Sequence, residues 1–415
     1  MTMVLPAGEG IAGRDLKRRL KRAETGQRLR ALALTAPLLL FVLVAFVLPI
    51  GLMLFRAVYD PDVARVAPRT VAALAQWDER SQPDEAVYAA MAADLKDAQA
   101  HQEVGLLGKR INYELPGSRS NVIATARQVT RLRAGPYKEA MIGIDPLWGG
   151  TEVWSILKRA GSPATSFYLL AAIDLHRNAE NAIVAVAPDQ AIFVDVFLRT
   201  FWIATLVTLA TAFLGYPVAF MIASLPRRTG NLLLILVLLP FWTSLLVRTT
   251  AWVVLLQTNG PINDVLLGLG LVHERLQLIF QRSGTLIAMT HIQLPFTILP
   301  IYSVMLTVQP GVTRAARSLG ATSFTAFRRI YFPLTLPGVG AGCLLTWILS
   351  LGYYITPALV GGPKDQMVSS LVAQYMNREL NWGMASALGG LLLILTLLVY
   401  GVYTRLVGVD RVRLG

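Results

Sequence analysis

The chain has 415 residues, of which 54% are hydrophobic and only 15% are charged, and its mean hydropathy is +0.52. Soluble globular domains are less apolar, so this composition excludes an ordinary cytosolic protein. The net charge of +13 would suit a nucleic-acid-binding protein, but the basic residues lie beside long apolar blocks and not in a module interleaved with aromatic residues. The sequence therefore predicts an α-helical polytopic membrane protein that has the lipid bilayer, and no nucleic acid, as a partner.

The chain begins with a basic tail and a first apolar block. Residues 1–32 carry eight Lys and Arg, and we predict a cytoplasmic tail because positive charge is retained on that side of a membrane. The block at residues 33–55 is longer than the apolar region of a signal peptide. We therefore expect it to remain attached as transmembrane helix 1.

A polar segment follows at residues 57–191, far longer than an ordinary connection. It holds 14 basic and 16 acidic residues, whereas the whole chain holds 38 and 25, so the positive excess lies elsewhere. We predict a large external α+β domain between spans 1 and 2. Its predicted helices cover residues 83–100, 118–133 and 151–160, and a predicted hairpin has strands at 167–175 and 182–186.

Five further apolar blocks complete a predicted set of six spans, each able to cross about 30 Å of hydrocarbon as a helix. Prolines inside several blocks predict kinks. Arginines without acids in the connections after the second and fourth blocks place those connections, and both termini, in the cytoplasm. The five predicted spans are residues 196–225, 232–256, 284–308, 338–360 and 385–407.

Motifs for enzymatic chemistry are missing from the sequence. The four histidines form no metal-binding pair, and Cys343 is the single cysteine. Gly105 to Lys109 has two residues between its glycines where a phosphate loop needs four, and Arg110 follows where Ser or Thr is required. We therefore predict no catalytic residue, no metal and no cofactor in this chain.

The most informative segment is the connection at residues 309–337. We predict a short helix over 313–319, a left-handed turn at Gly320, and a second helix that Thr322 or Ser323 caps and that Pro333 and Pro337 end. Ala315 and Ala316 would give the first helix a low surface that another protein could approach closely.

Within this connection, Ala315, Ala316, Gly320, Ile330 and the pair Leu336-Pro337 resemble the EAA loop of bacterial binding-protein-dependent ABC importer permeases. Residues 240–252, 259–263 and 351–363 are similar to the spermidine/putrescine branch of that family. The resemblance covers roughly residues 195–407 and the first span. It implies the type I ABC importer permease fold, with a permease core at 192–415 and a coupling loop at 309–337.

The resemblance implies a non-enzymatic permease subunit in the bacterial inner membrane, with residues 57–191 in the periplasm. The implied partners are a dimeric ATP-binding subunit that binds ATP and Mg, a second and different permease subunit, and a periplasmic substrate-binding protein. The implied solute is a polyamine or a related amine, amino acid or opine. Arg314 stands where the family has a glutamate. The implied ATPase-coupling residues are Thr313, Arg314, Ala315, Ala316, Arg317, Ser318, Leu319 and Gly320.

Polar and aromatic side chains in or near the apolar blocks are candidates for a substrate path. Packing, interfacial anchoring or one interhelical hydrogen bond would also explain each of them. Two other functions stay open. A stand-alone secondary carrier would need acids near the middle of the spans, and a membrane sensor would bind a ligand through its external domain. The candidates for the path are Trp242, Arg248, His291, Gln293, Trp347, Tyr353, Tyr354 and Thr356.

Overall fold

The computed structural model describes residue 25, residues 31–178 and residues 181–407. Most of the predicted cytoplasmic tail and the chain after residue 407 lie outside the described residues. The protein forms two compact units, Met1–Phe55 and Arg56–Gly415. The described part of the first unit is chiefly one apolar helix, α1 (Ala31–Phe55), which covers the first predicted span and is long and apolar enough to cross a membrane. A π-turn at Leu43–Val47 precedes Pro49 in α1, a common adaptation where a proline lacks its N–H.

The polar segment is chiefly helical and has its own hydrophobic core, built from side chains between Val63 and Ala160 and centred on Trp148 and Trp154. The three predicted helices are confirmed as α4 (Glu85–Ala100), α6 (Ser118–Val129) and α8 (Glu152–Ala160), and Asp84 caps α4 by accepting from the N–H of Val87. The helices are α2 (Asp62–Val66), α3 (Pro68–Leu74), α4 (Glu85–Ala100), α5 (Val104–Glu114), α6 (Ser118–Val129), α7 (Tyr137–Ile144), α8 (Glu152–Ala160) and α9 (Phe167–Ala171), with a 3-10 turn at Pro146–Gly149.

The hairpin is shorter than predicted. Strands β1 (Leu175–Arg177) and β2 (Ile183–Ala185) pair antiparallel, whereas residues 167–171, predicted as strand, form the helix α9. Phe167 and Tyr168 both pack against Tyr113 of α5. A helix lets these neighbouring rings reach one partner, whereas a strand would turn them to opposite faces, so packing overrides the local strand preference.

The third predicted span is broken, which corrects the expectation of one continuous helix over 232–256. The helix ending at Trp242 and the next helix meet at an angle of 96°. Pro240 lies in a 3-10 turn at Leu239–Trp242, and Ser244 starts a new helix by accepting from the N–H of Val247. A proline and a strong N-cap four residues apart end one helix and begin another. The elements here are α10 (Phe193–Ser224), α11 (Arg227–Leu238), α12 (Leu245–Leu256), α13 (Pro261–Gly268) and α14 (Arg282–Met305).

The fifth predicted span also begins and ends earlier than expected. Helix α16 (Ser323–Gly352) runs through Pro333 and Pro337, which were predicted to end a separate helix. It stops at Gly352, and residues 355–360 form a helix of their own. The wider π-turn at Phe327–Tyr331 accommodates the Pro333 ring. The last elements are α15 (Pro310–Ser318), α16 (Ser323–Gly352), α17 (Ile355–Val360), a 3-10 turn (Pro363–Asp365), α18 (Val368–Asn377) and α19 (Trp382–Val407).

Five helices of the described chain, α1, α10, α14, α16 and α19, are long and apolar enough to cross a membrane, or six spans are present if the bent pair counts as one. Helices α10, α14 and α16 pack against one another as the centre of the second unit. Their backbones approach closely at glycines: a side chain at Gly342 would come within 2.8 Å of the Thr297 carbonyl oxygen. Such small-residue contacts are typical of helix packing in membranes.

Candidate functional site

The coupling loop predicted at 309–337 contains one short helix and one sharp turn. Helix α15 starts at Pro310, three residues earlier than predicted, because proline is well suited to the first helical position. Gly320 has a φ of +90°, which confirms the predicted left-handed turn. The N–H of Gly320 donates to the Arg317 carbonyl at 3.0 Å and that of Ala321 to the Ala316 carbonyl at 3.1 Å. These two bonds form a Schellman motif, which needs a residue without a β-carbon at its left-handed position.

The two alanines of α15 face different environments, which corrects the expectation that both form an open surface. Ala316 is only 8% exposed and lies within the chain's own packing, whereas Ala315 is exposed. Two apolar side chains flank the turn in solvent, Leu319 at 89% exposure and Phe324 at 70%. The open side of this loop therefore includes the apolar residues Ala315, Leu319 and Phe324.

The loop connects directly to the spanning helices. Thr322 caps α16 by accepting from the N–H of Thr325, as predicted for this position. In the first turns of α16, Phe327 and Tyr331 pack edge to face against Phe220 of α10, with ring centroids 5.5 and 5.4 Å away. The Tyr216 hydroxyl of α10 lies 3.0 Å from the Thr335 hydroxyl. Any displacement of α15 would therefore reach α10 and α16 through a short turn and an aromatic contact.

A cavity of about 430 Å³ lies beneath this aromatic contact. Its walls come from the ends of α10 and α14, from α15 and from the start of α16, and Thr313 and Arg317 face it. Arg317 lines this cavity and is also exposed, whereas Arg314, three positions earlier, is exposed without lining it, and its Nε donates to the Pro310 carbonyl at 3.3 Å.

Buried hydroxyl groups hold the three central helices together, and the sequence analysis missed them. The Thr297 hydroxyl of α14 lies 2.9 Å from that of Thr211 on α10 and 2.6 Å from that of Thr346 on α16. One turn away, Ser350 of α16 donates to Gln293 Oε1 at 2.9 Å. Threonine is common in membrane helices for other reasons, so only the spatial juxtaposition identifies this cluster.

The predicted path residues Trp242, Arg248 and His291 lie around the break between α11 and α12. Trp242 is 74% exposed. The guanidinium of Arg248 lies 6.0 Å from the ring of Phe241, and its buried Nε has no hydrogen-bond partner among the described residues. His291 Nδ1 accepts from Trp252 Nε1 at 3.2 Å. These side chains form a partly open group of aromatic and polar atoms.

The remaining path candidates are divided between internal contacts and a second cavity. Trp347 Nε1 donates to the Thr205 hydroxyl at 3.3 Å, the Thr356 and Thr249 hydroxyls lie 3.2 Å apart, and Tyr353 packs against a buried cluster with Met289. Gln293 is fully buried, and its Nε2 has no partner among the described residues. Tyr354 alone lines the second cavity, of about 490 Å³. The structure therefore does not bring all the predicted path residues into one continuous lining.

A buried polar network joins distant parts of the polar segment to one another. The hydroxyl of Tyr168 donates to Asp60 at 2.6 Å, and Arg110 binds both Asp60 at 3.2 Å and Glu114 at 2.8 Å. Arg159 binds the other oxygen of Glu114 at 3.0 Å. Burial and, next, the negative charge of Asp60 raise the pKa of Tyr168, so its hydroxyl remains a donor. The partners are far apart in the sequence, which explains why sequence patterns did not reveal the network.

Comparisons with known proteins agree on one family. Residues 213–408 match the model of the family described as binding-protein-dependent transport system inner membrane component. The spermidine/putrescine transport system permease protein PotB of Escherichia coli (strain K12) is 36% identical over 218 residues, which cover 52% of this chain and 79% of the relative. The protein of the same name from Haemophilus influenzae is 32% identical over 213 residues, covering 51% and 74%.

One solved structure is a bacterial alginate ABC transporter in complex with an alginate pentasaccharide-bound periplasmic protein. It matches 54% of this chain and 80% of its own, with a TM-score of 0.45 and 17% sequence identity.

Proposed function

Because the chain belongs to the family of binding-protein-dependent transport system inner membrane components, we propose that it is the permease subunit through which an ATP-driven importer moves a polyamine into the cell. The similarity to two spermidine/putrescine permeases supports the substrate class. Related amines, amino acids and opines are the competing solutes. The function is transport, and the chemistry of ATP hydrolysis belongs to a partner chain that binds ATP and Mg.

The exposed loop around Gly320 is the observation that carries the coupling part of this proposal. Leu319 and Phe324 expose large apolar side chains beside a rigid turn, and solvent-exposed apolar groups of this size mark protein contacts. The same loop continues into α16, where Phe327 and Tyr331 pack against Phe220 of α10. ATP-driven closure of a partner dimer would move α15, and the spans would then alternate between outward and inward access.

The partners in this proposal are an ATP-binding dimer, a second and different permease subunit, and a periplasmic substrate-binding protein. The chain would lie in the bacterial inner membrane with both termini in the cytoplasm and residues 57–191 in the periplasm. Family membership does not favour a stand-alone carrier or a sensor, because the relatives are permeases of transport systems.

Copurification followed by reconstitution tests the proposal. The tagged chain is extracted gently from its native membrane, and the proteins that accompany it are identified. We expect an ATP-binding subunit and a second permease, and reconstituted vesicles should take up labelled spermidine or putrescine only with ATP and the binding protein. Uptake of an amino acid or opine in place of polyamines would correct the substrate class. A chain that purifies alone and transports without ATP would contradict the importer.

For the polar segment we propose docking or gating of the loaded binding protein. Its close attachment to the core through Tyr168 and Gly383 would let it respond to movement of the helices. Replacement of residues 62–160, which include its hydrophobic core, by a short linker should reduce the stimulation of ATP hydrolysis by the binding protein. Unchanged stimulation in an inserted and correctly assembled variant would contradict this role.

A further inference from the structure

The loop around Gly320 combines exposed apolar side chains with positive charge that the described chain does not neutralise. Residues 309–337 contain four arginines and no Asp or Glu. None of these arginines forms an ion pair with another described residue. The nearest acid after the loop in the sequence, Asp365, is buried and already bound to Arg282 at 3.0 Å.

Both arginines of α15 are exposed, but their surroundings differ. The buried Ala316 marks the face of α15 that packs towards the spans. Arg314 and Ser318 are four positions apart and therefore share one face, and that face is opposite to Ala316 because two residues along a helix correspond to about 200°. Arg317 is exposed as well, but it also lines the cavity among the helices. Arg314 is thus the arginine of α15 that lies opposite the packed face and outside that cavity.

We infer that Arg314, Leu319 and Phe324 form a docking surface for an acidic groove on the ATP-binding subunit. This inference rests on the function proposed above and adds the chemistry of the partner surface. A carboxylate in the groove would form a bidentate pair with the exposed guanidinium of Arg314, an arrangement that guanidinium geometry favours over a lysine contact. Apolar walls beside that carboxylate would bury Leu319 and Phe324.

The placement of Arg314 favours a protein over anionic lipid. Arg314 lies on the face of α15 opposite to Ala316, the residue that packs against the chain's own helices. Leu319 and Phe324 are largely exposed in this chain, and large side chains at the centre of a protein interface lose such exposure on binding. An acid at the contact also determines which subunits fit, because a basic groove would repel the loop.

Charge reversal in the assembled transporter tests the pairing. Arg314→Glu should weaken retention of the ATP-binding subunit by at least about tenfold, since a charged pair becomes a repulsion. The matched control is Arg328→Glu, which makes the same change in charge at an exposed position of α16. The control should retain the ATP-binding subunit within about twofold of wild type.

A zero-length cross-link identifies the acid directly. With Arg314→Lys, a carbodiimide activates a neighbouring carboxylate, the new amine attacks it, and an amide forms with release of the urea. The background is low because Lys364 is the single lysine of residues 192–415. We expect mass spectrometry to find an amide to an Asp or Glu of the ATP-binding subunit, and no such product from Arg328→Lys.

Several results would overturn the inference. One is equal retention of the ATP-binding subunit by wild type and Arg314→Glu. Another is a variant that keeps its ATP-binding subunit but loses affinity for anionic lipid vesicles, which would assign Arg314 to the membrane surface. If wild type itself copurifies with no ATP-binding subunit, the proposed function fails, and this inference fails with it.

Discussion

The aromatic ring of Tyr168 lies directly against the backbone of Gly383, so closely that any side chain at residue 383 would overlap it. Tyr168 belongs to α9 of the polar segment, and Gly383 is the second residue of the spanning helix α19. The Lys109 ammonium donates to the Leu380 carbonyl at 2.9 Å, and the guanidinium of Arg56 lies 5.9 Å from the ring of Trp382. The polar segment and Arg56 just before it are therefore attached to the chain around the start of α19 by one close ring contact, one hydrogen bond and one cation–π contact.

We predict that Gly383→Ala loosens this attachment. The added methyl group must displace the Tyr168 ring, and overpacking of a buried contact usually costs about 1–3 kcal/mol. The midpoint of thermal unfolding in detergent should fall by several degrees. Gly401→Ala is the matched control in the same helix, because a β-carbon there would meet nothing within 4 Å. Equal unfolding midpoints for the two variants would show that the ring is free to move aside.

The buried Arg110 should be essential to the fold of the polar segment. Arg110→Met would leave Asp60 and Glu114 without their main partner, and removal of one member of a buried ion pair typically costs about 3–5 kcal/mol. We expect loss of the protein from the membrane fraction or greatly increased proteolysis between residues 57 and 174. Arg65→Met is the control: Arg65 forms only longer, exposed ion pairs, and its loss should have little effect. A normally folded Arg110→Met variant would contradict the assigned role.

Local patterns in the sequence were sufficient where a local cause determines the structure. The capped helix at Asp84, the left-handed Gly320 and the cap at Thr322 all follow from residues within one or two turns. Apolar length alone identified α1, α10, α14 and α19, since a span needs little more than about 20 apolar residues.

Hydropathy did not predict the places where the chain changes direction, or the helix changes its turn, within an apolar stretch. The 96° bend before Leu245 leaves the composition apolar throughout, and a π-turn carries α16 past Pro333. The contacts of Thr297 with Thr211 and Thr346, and of Tyr168 with Asp60, join residues at least 49 positions apart. One sequence carries no local signal for such pairs, so the candidate site was predicted at the loop and missed at these contacts.

The hydroxyl cluster at Thr297 should stabilise the packing of α10, α14 and α16. Thr297→Val keeps the volume nearly unchanged but removes the shared hydroxyl, and interhelical hydrogen bonds in membranes average about 0.6 kcal/mol with a maximum of about 1.7. We expect a loss of about 1–3 kcal/mol for the two contacts together, seen as a lower unfolding midpoint. Thr396→Val is the control, because the Thr396 hydroxyl donates to the Leu392 carbonyl of its own helix. A smaller effect at Thr297 than at Thr396 would contradict the role of the cluster.

The two alanines of α15 should respond differently to enlargement. Ala315→Leu adds bulk on the exposed surface, so we expect release of the ATP-binding subunit with an unchanged unfolding midpoint. Ala316→Leu adds bulk inside the chain's own packing and should lower the unfolding midpoint, by the general cost of about 1–3 kcal/mol for overpacking. For both variants, copurification of the ATP-binding subunit measures docking, and the thermal unfolding midpoint measures the stability of the fold. The opposite pattern would reverse the assignment of the two faces.

Gly320 should determine whether movement of α15 reaches the spans. Its φ of +90° is strained for a β-branched residue, at a cost of about 1–2 kcal/mol. Gly320→Val should therefore open the Schellman turn and abolish ATP-dependent uptake while leaving the chain inserted in the membrane. Gly320→Asn should retain most uptake, because asparagine adopts the left-handed conformation more readily than other residues. Gly311→Val controls for added volume at a helical position with no neighbour within 4 Å of the new β-carbon. Uptake assays in reconstituted vesicles distinguish these cases, and normal transport by Gly320→Val would refute the proposed coupling through this turn.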